Sequence, residues 1–136
     1  MFAGSPANVK DTLDHLFFET IGPDKINQLR QVKFFGDMKG LLAHMDEHAA
    51  LIGPKFKAVD EALTRHLTGK GIATWTKPKG GYFVSLDVLD GCAKEVIRLA
   101  DEAGVKLTPA GSCYPYGDDP NDRNIRLAPT LPPLDE

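Results

Sequence analysis

Near the C-terminus the chain reads Asn124-Ile125-Arg126-Leu127-Ala128-Pro129. The alternation predicts a short strand that turns Ile125 and Leu127 to one face and Arg126 to the other. Pro129 would end the strand pairing because it lacks a backbone N–H. An arginine on a stiff strand is a fixed fork, and its paired N–H groups match the two oxygens of a carboxylate. The same pattern also fits a surface arginine in a loose ion pair.

A series of short elements leads to this segment. Residues 72–76 and 82–86 are rich in β-branched and aromatic side chains and flank a turn that contains proline and glycine, which predicts a hairpin. The pattern then predicts a helix over residues 91–104, a short strand over residues 106–108 and a last strand over residues 125–127. The order β-β-α-β-β predicts an α+β fold in which helices cover one face of a small sheet.

The first half of the chain predicts helices. Ser5-Pro6 is a capping pair that starts the first helix, and Gly22-Pro23 ends it before Asp24 starts the second. From Asp37 onward, apolar residues recur at helical spacing as far as residue 67. Pro54 falls inside this pattern, so we expect a long helix with a kink or a short break near residues 52–53.

The composition is that of an ordinary folded domain. Of the 136 residues, 42% are hydrophobic and 26% are charged, and the net charge is −3. The mild charge and the scattered basic residues argue against nucleic acid as a partner. No apolar run approaches the roughly 20 residues that a membrane span needs. Cys92 and Cys113 are far apart in the sequence, which leaves a disulfide open but favours two free thiols in a reducing compartment, as in a cytoplasmic protein.

Three segments in this order resemble the C-terminal part of the fold-type I pyridoxal-phosphate aminotransferases. They are residues 78–86 (Pro-Lys-Gly-Gly-Tyr-Phe-Val-Ser-Leu), residues 103–111 (Ala-Gly-Val-Lys-Leu-Thr-Pro-Ala-Gly) and residues 124–128 (Asn-Ile-Arg-Leu-Ala). The likeness is to the bacterial aspartate aminotransferase group that includes MocR-like aminotransferases. Residues 21–30 and 34–37 resemble the segment of that group that leads into the small domain, so the resemblance covers nearly the whole chain.

The resemblance divides the chain into two parts. Residues 1–36 would link it to an absent large domain, and residues 37–136 would form the small domain, truncated at its C-terminus. In the family, the lysine that binds the cofactor lies upstream of the segment that residues 2–6 resemble. The resemblance therefore implies a fragment without its own catalytic lysine, which neither binds pyridoxal phosphate nor transaminates alone. Removing the large domain would expose apolar side chains on the first two helices.

The resemblance also implies what the longer protein does. It would be a cytoplasmic homodimer that exchanges the amino group between amino acids and 2-oxo acids, with aspartate and 2-oxoglutarate as the leading pair. Arg126 matches the arginine that binds the α-carboxylate of the substrate. Gly81 precedes a strand that leads toward the mouth of the active site. Paired glycines let a backbone approach a ligand or adopt a positive φ, although Gly80-Gly81 also fits an ordinary hairpin turn.

Two hypotheses from other classes stay open at this point. The chain could be a stand-alone binding or interaction module built on an aminotransferase-like domain. Alternatively, His44, Glu47 and His48 match the H-x-x-E-H pattern of zinc peptidases, with two histidines one helical turn apart. The pattern lacks a convincing third ligand and is also typical of a solvated helix face. The acidic segment of residues 118–122 fits a solvated loop better than a calcium site, because it lacks the spacing of an EF-hand.

Overall fold

A computed structural model describes residues 3–134 of the chain. The chain forms two compact units, Met1–Met45 and Asp46–Glu136. The sequence places a domain boundary between residues 36 and 37, and that division stays a prediction. Within residues 3–134 no helix is both long and apolar enough to span a membrane.

The first unit begins with two helices, α1 (Pro6–Thr20) and α2 (Lys25–Phe35). The side chains that precede the first three helices each accept a hydrogen bond from the backbone N–H three residues further on. The donor–acceptor distances are 3.3 Å at Ser5, 3.0 Å at Asp24 and 2.9 Å at Asp37. These bonds satisfy N–H groups that have no partner inside a helix. The predicted helix starts are therefore confirmed.

The third helix, α3 (Met38–Leu67), begins in the first unit and continues into the second. It is unbroken across Pro54, so the predicted break near residues 52–53 is wrong. The proline removes one helical hydrogen bond, that to the carbonyl of Ala50, and helical residues continue on both sides. The predicted kink stays a prediction.

The second unit contains an antiparallel sheet of three strands, with β2 in the centre. The strands are β1 (Ala73–Trp75), β2 (Val84–Val88) and β3 (Asn124–Leu127). The hairpin between β1 and β2 and the final strand both confirm the prediction from the sequence. In the register of β2 with β3, Leu86 faces Ile125 and Ser85 faces Arg126.

The helix α4 (Ala93–Glu102) lies between β2 and β3 in the chain. Leu86, Ala93 and Ile125 form the buried centre of the core. Partly buried side chains of α3 and α4 pack against them: Leu63, Leu67, Val96 and Ile97. The predicted α+β arrangement, with helices on the apolar face of a small sheet, is confirmed.

The strand predicted over residues 106–108 does not form, so the order is β-β-α-β. Pro109 has no N–H to offer a ladder. The N–H of Val105 donates to the carbonyl of Ala100 at 2.8 Å and holds the start of this segment against the end of α4. Leu107 still packs against the core. The one apolar residue of this segment therefore indicates burial and not strand pairing.

The loop before β3 folds around a carboxylate. Asp119 is buried and accepts backbone hydrogen bonds from Asn121 at 3.0 Å, Arg123 at 2.9 Å and Asn124 at 2.8 Å. Asp122 caps α4, because its carbonyl accepts from the N–H of Ala93 and its carboxylate from the N–H of Lys94. The predicted solvated loop is therefore wrong for Asp119 and Asp122.

The backbone N–H groups of Asn121, Arg123 and Asn124 form a cradle around Asp119. This cradle makes the contribution of Asp119 to stability depend on pH. Burial raises the pKa of Asp119, but the backbone donors of Asn124, Arg123 and Asn121 outweigh it and leave the pKa below its ordinary value. A lowered folded-state pKa means that the ionised carboxylate stabilises the fold above about pH 4 and that this stability is lost as the pH falls further. We expect Asp119→Asn to lower the melting temperature by several degrees at pH 7 and by less at pH 3. Thermal melts across this range test it.

The exposed neighbour Asp118 supplies the matched control for this prediction. Asp118→Asn makes the same chemical change without entering the cradle, so the melting temperature should stay within about one degree at either pH. Equal losses for the two variants would show that the three backbone donors do not stabilise the loop.

Candidate functional site

Arg126 lies on β3, on the face of the sheet opposite Ile125. Its side chain is half-buried, and its Nε is fully buried without a hydrogen-bond partner. Across residues 3–134, no carboxylate pairs with its guanidinium and no acceptor receives its N–H groups. A half-buried cation without an anion is costly unless a ligand supplies one.

Two other arginines of the second unit are paired with carboxylates. Arg98 on α4 donates to Glu95 at 2.8 and 2.6 Å and also pairs with Glu102. Arg123 lies 3.4 Å from Asp87 and 3.6 Å from Asp90. Arg126 therefore differs from both in having its donors available to a ligand.

The partner of the Arg126 guanidinium is an aromatic ring. The guanidinium carbon lies 4.5 Å from the centroid of the Phe83 ring, within the range of a cation–π contact. Phe83 comes immediately before β2, and 46% of its surface stays exposed. Sequence reasoning missed this contact. The register of β2 with β3 would have indicated it, because Phe83 precedes Ser85, the cross-strand neighbour of Arg126, by two residues.

The polar face of the sheet fixes the strand that carries Arg126. The side-chain amide of Asn124 donates to Ser85 Oγ at 2.8 Å and to Asp87 Oδ1 at 2.7 Å. Arg123 adds its ion pair to Asp87. These bonds join β2 to β3 beside Arg126 and oppose a slip of the register, which would turn Arg126 to the core face.

The chain that follows β3 is attached to α3 by a lysine. Lys55 Nζ donates to the carbonyls of Thr130 at 2.8 Å, Leu131 at 3.4 Å and Pro132 at 2.6 Å. These carbonyls come directly after the Arg126 segment. Lys55 thus anchors the far end of that segment, a role for which the sequence gives no signal.

The hairpin is attached to α3 through Asp60. Its carboxylate accepts from Trp75 Nε1 at 2.9 Å and from Lys77 Nζ at 2.9 Å. The hydrogen bond from Lys77, and then that from Trp75, hold the pKa of Asp60 below its usual range. The ionised carboxylate therefore holds the base of the turn that leads to Phe83.

Gly81, the other predicted substrate contact, lies in a separate groove. This groove has a volume of about 250 Å³ and runs between the turn at residues 78–81 and the α3 residues Ala49, Ile52 and Phe56. Arg126 does not line it. Gly81 has a φ of +86°, and no heavy atom lies within 4 Å of the position that a Cβ would take. The geometry fits a turn glycine, and a substrate contact stays a prediction.

Three lysines of the second unit have partners of their own. Lys55 binds backbone carbonyls, Lys77 pairs with Asp60, and Lys106 pairs with Asp101. The arrangement around Arg126 can bind a carboxylate.

The zinc hypothesis gains no support from the described residues. No group of three or more His, Cys, Asp or Glu side chains in residues 3–134 is placed to hold a metal ion. The ring of His44 packs against the rings of Phe34 and Phe35, with centroids 5.3 and 5.5 Å apart. Cys92 and Cys113 are free thiols, as predicted.

Comparison with known proteins supplies the family. The family model described as aspartate amino-transferase matches residues 1–136. An aminotransferase of Mycolicibacterium smegmatis is 52% identical over 134 residues, and the aspartate aminotransferase of Corynebacterium glutamicum is 50% identical over 135 residues. The alignments cover 98% and 99% of this chain but 31% of each relative.

The solved structures agree with this assignment. An aminotransferase from Corynebacterium diphtheriae superposes with a TM-score of 0.83 at 51% identity, over 98% of this chain and 33% of that one. The chain thus spans about a third of the length of the relatives that it matches. With a family match over its whole length, the chain belongs to the aspartate aminotransferase family.

Proposed function

We propose that this chain is the C-terminal part of a pyridoxal-phosphate-dependent aminotransferase and that Arg126 binds the α-carboxylate of the substrate. The observation that carries the proposal is the guanidinium of Arg126, which is half-buried and lacks an anionic partner in the described residues. A carboxylate matches the planar fork with two parallel hydrogen bonds. We call the longer polypeptide that would contain these 136 residues the parent protein.

Arg126 would act by orienting the substrate. Its attachment to β3 gives the guanidinium a fixed direction, so the bound amino acid has a fixed orientation about its Cα atom. Pyridoxal phosphate, when bound, supplies the electron sink for breaking a bond at that atom. Orientation of this kind can lower a barrier by several kcal/mol. The amine that holds the cofactor would come from polypeptide outside these residues.

The exposed side chains of the first unit support the presence of further polypeptide. Phe17, Phe18 and Phe34 are 63%, 84% and 67% exposed, and Leu29 on the same pair of helices is 60% exposed. An apolar surface of this kind marks a site of contact with protein. The relatives are about three times as long as this chain, which leaves ample polypeptide to cover it.

We propose aspartate and 2-oxoglutarate as the substrate pair and a homodimeric, cytoplasmic parent protein. The support for the substrate is the name of the Corynebacterium glutamicum relative, aspartate aminotransferase, at 50% identity. Arg126 itself recognises a group that all amino acids share. Selection of the side chain would therefore depend on other residues.

The test compares the isolated chain with the parent protein. We expect the parent protein with pyridoxal phosphate to show the absorbance band of a lysine-bound cofactor and to form oxaloacetate from aspartate and 2-oxoglutarate. The isolated 136-residue chain should show neither the band nor any turnover. Absorbance spectroscopy and a coupled assay for oxaloacetate measure both.

Two results would overturn the proposal. A cofactor band in the isolated chain would mean that one of its own lysines binds the aldehyde. A parent protein that takes up no cofactor would favour the stand-alone binding module, in which catalysis has been lost. The spectrum of the parent protein should be recorded with and without borohydride, because reduction fixes a true lysine adduct covalently.

A further inference from the structure

We infer that Phe83 is a positioning residue for Arg126, which holds the guanidinium in place while leaving its hydrogen-bond donors to the substrate. The inference rests on the proposed role of Arg126. It assigns a function to a half-exposed aromatic side chain that is not part of the buried centre of the core.

The sheet register explains how the two side chains meet. Ser85 faces Arg126 directly, and Phe83 lies two residues before Ser85, on the same face of the sheet. Diagonal neighbours of this kind are about 7–8 Å apart at their backbones, which long and aromatic side chains can bridge. The observed distance of 4.5 Å from the guanidinium carbon to the ring centroid is the result.

The kind of partner matters because the guanidinium must stay free to bind. Arg123 and Arg98 are held by carboxylates, which occupy their N–H groups and neutralise their charge. A substrate carboxylate would have to displace such a partner. An aromatic ring attracts the cation through its π face and accepts none of its in-plane N–H donors. Phe83 can therefore restrict Arg126 without competing with the ligand.

The ring also shields the cation from water. The Nε atom is fully buried, so a carboxylate must approach through the terminal nitrogens of the fork. Fewer water molecules around the guanidinium make its attraction to an anion stronger. Phe83 thereby increases the affinity of Arg126 for a carboxylate as well as fixing the orientation of the guanidinium.

The experiment uses the parent protein with aspartate as substrate and maleate as an inhibitor that carries carboxylates but no amine. We expect Phe83→Leu, which removes the ring and keeps an apolar side chain, to raise both the KM for aspartate and the inhibition constant of maleate about threefold to tenfold. The kcat should change by less than about twofold. Phe83→Tyr and Phe83→Trp restore the ring and should restore both constants.

The neighbouring aromatic residue provides the matched control. Tyr82 is 58% exposed and lies next to Phe83 in the chain, but it is the Phe83 ring that contacts the Arg126 guanidinium. Tyr82→Leu should leave both constants unchanged. In an Arg126→Lys background, Phe83→Leu should cost much less than in the original protein, because the planar cation that it holds is gone.

The outcomes separate this inference from the proposed function. If Arg126→Lys raises both constants and Phe83→Leu raises neither, Phe83 has no positioning role while the role of Arg126 stands. If Arg126→Lys itself raises neither constant, the proposed function fails first. A Phe83→Leu variant that does not fold, with Phe83→Tyr stable, would place the ring in the core and overturn the inference.

Discussion

Replacing Arg126 by lysine in the parent protein is expected to lower kcat/KM for aspartate about a hundredfold or more, chiefly through a higher KM. Lysine keeps the positive charge but offers a single ammonium in place of a planar fork, so the paired hydrogen bonds to the carboxylate are lost. Losing one partner of a desolvated, hydrogen-bonded charge pair typically costs between 2 and 5 kcal/mol. A hundredfold change corresponds to about 2.7 kcal/mol.

A second substrate decides which carboxylate Arg126 contacts. An amino acid with an apolar side chain shares the α-carboxylate of aspartate but lacks the other one. If Arg126 binds the α-carboxylate, Arg126→Lys should lower kcat/KM for both amino acids by the same factor. A loss confined to aspartate would assign Arg126 to the side chain of the substrate instead.

The melting temperature gives an independent check on the same residue. Because no carboxylate of the described chain pairs with Arg126, removing its charge should leave no orphaned anion. We expect Arg126→Met to melt at the same temperature as the original protein or higher. A loss of several degrees would show that the guanidinium has a structural partner and is not held ready for a ligand.

The parts of the fold that the sequence predicted are those set by local chemistry. Ser5, Asp24 and Asp37 each cap the helix that follows, and the sequence placed the helix starts at these residues. The alternation around Arg126 gave the strand and its faces correctly. Such signals depend on the conformations of a few neighbouring residues, so they can be recognised without knowing the fold.

The parts that were missed depend on contacts between distant segments. Lys55 reaches carbonyls 75 to 77 residues away in the chain, and the carboxylate of Asp122 caps a helix that begins at Ala93. Residues 106–108 alternate polar and apolar side chains but form no strand. No pattern within one segment encodes such partners. The Phe83–Arg126 contact belongs to this group, since it follows only once the register of β2 with β3 is known.

The largest expected loss of stability comes from adding one methyl group to the loop that leads to β3. Gly111 is buried and has a φ of +80°, a conformation that residues with a Cβ rarely adopt. A Cβ at this position would lie 2.7 Å from the carbonyl carbon of Gly117 and closer still to its oxygen. Both are backbone atoms, so no side-chain rotation relieves the overlap.

We therefore expect Gly111→Ala to lower the free energy of unfolding by about 3 kcal/mol or more. The left-handed conformation alone costs an alanine about 1–2 kcal/mol, and forced overlap in a packed region adds about 1–3 kcal/mol. The backbone must shift where it turns back toward the Asp119 cradle. In the parent protein, the same shift should also weaken substrate binding, because the cradle leads directly into the strand of Arg126. Urea unfolding followed by circular dichroism measures the stability.

Two other glycines separate the cost of the left-handed conformation from the cost of the steric overlap. Gly117 has a φ of +74° with no heavy atom within 4 Å of a Cβ, so Gly117→Ala should show the conformational cost of about 1–2 kcal/mol alone. Gly80 combines an unstrained φ with open space, and Gly80→Ala should be nearly neutral. If Gly111→Ala and Gly117→Ala lost the same stability, the close approach of the two backbone segments would contribute nothing.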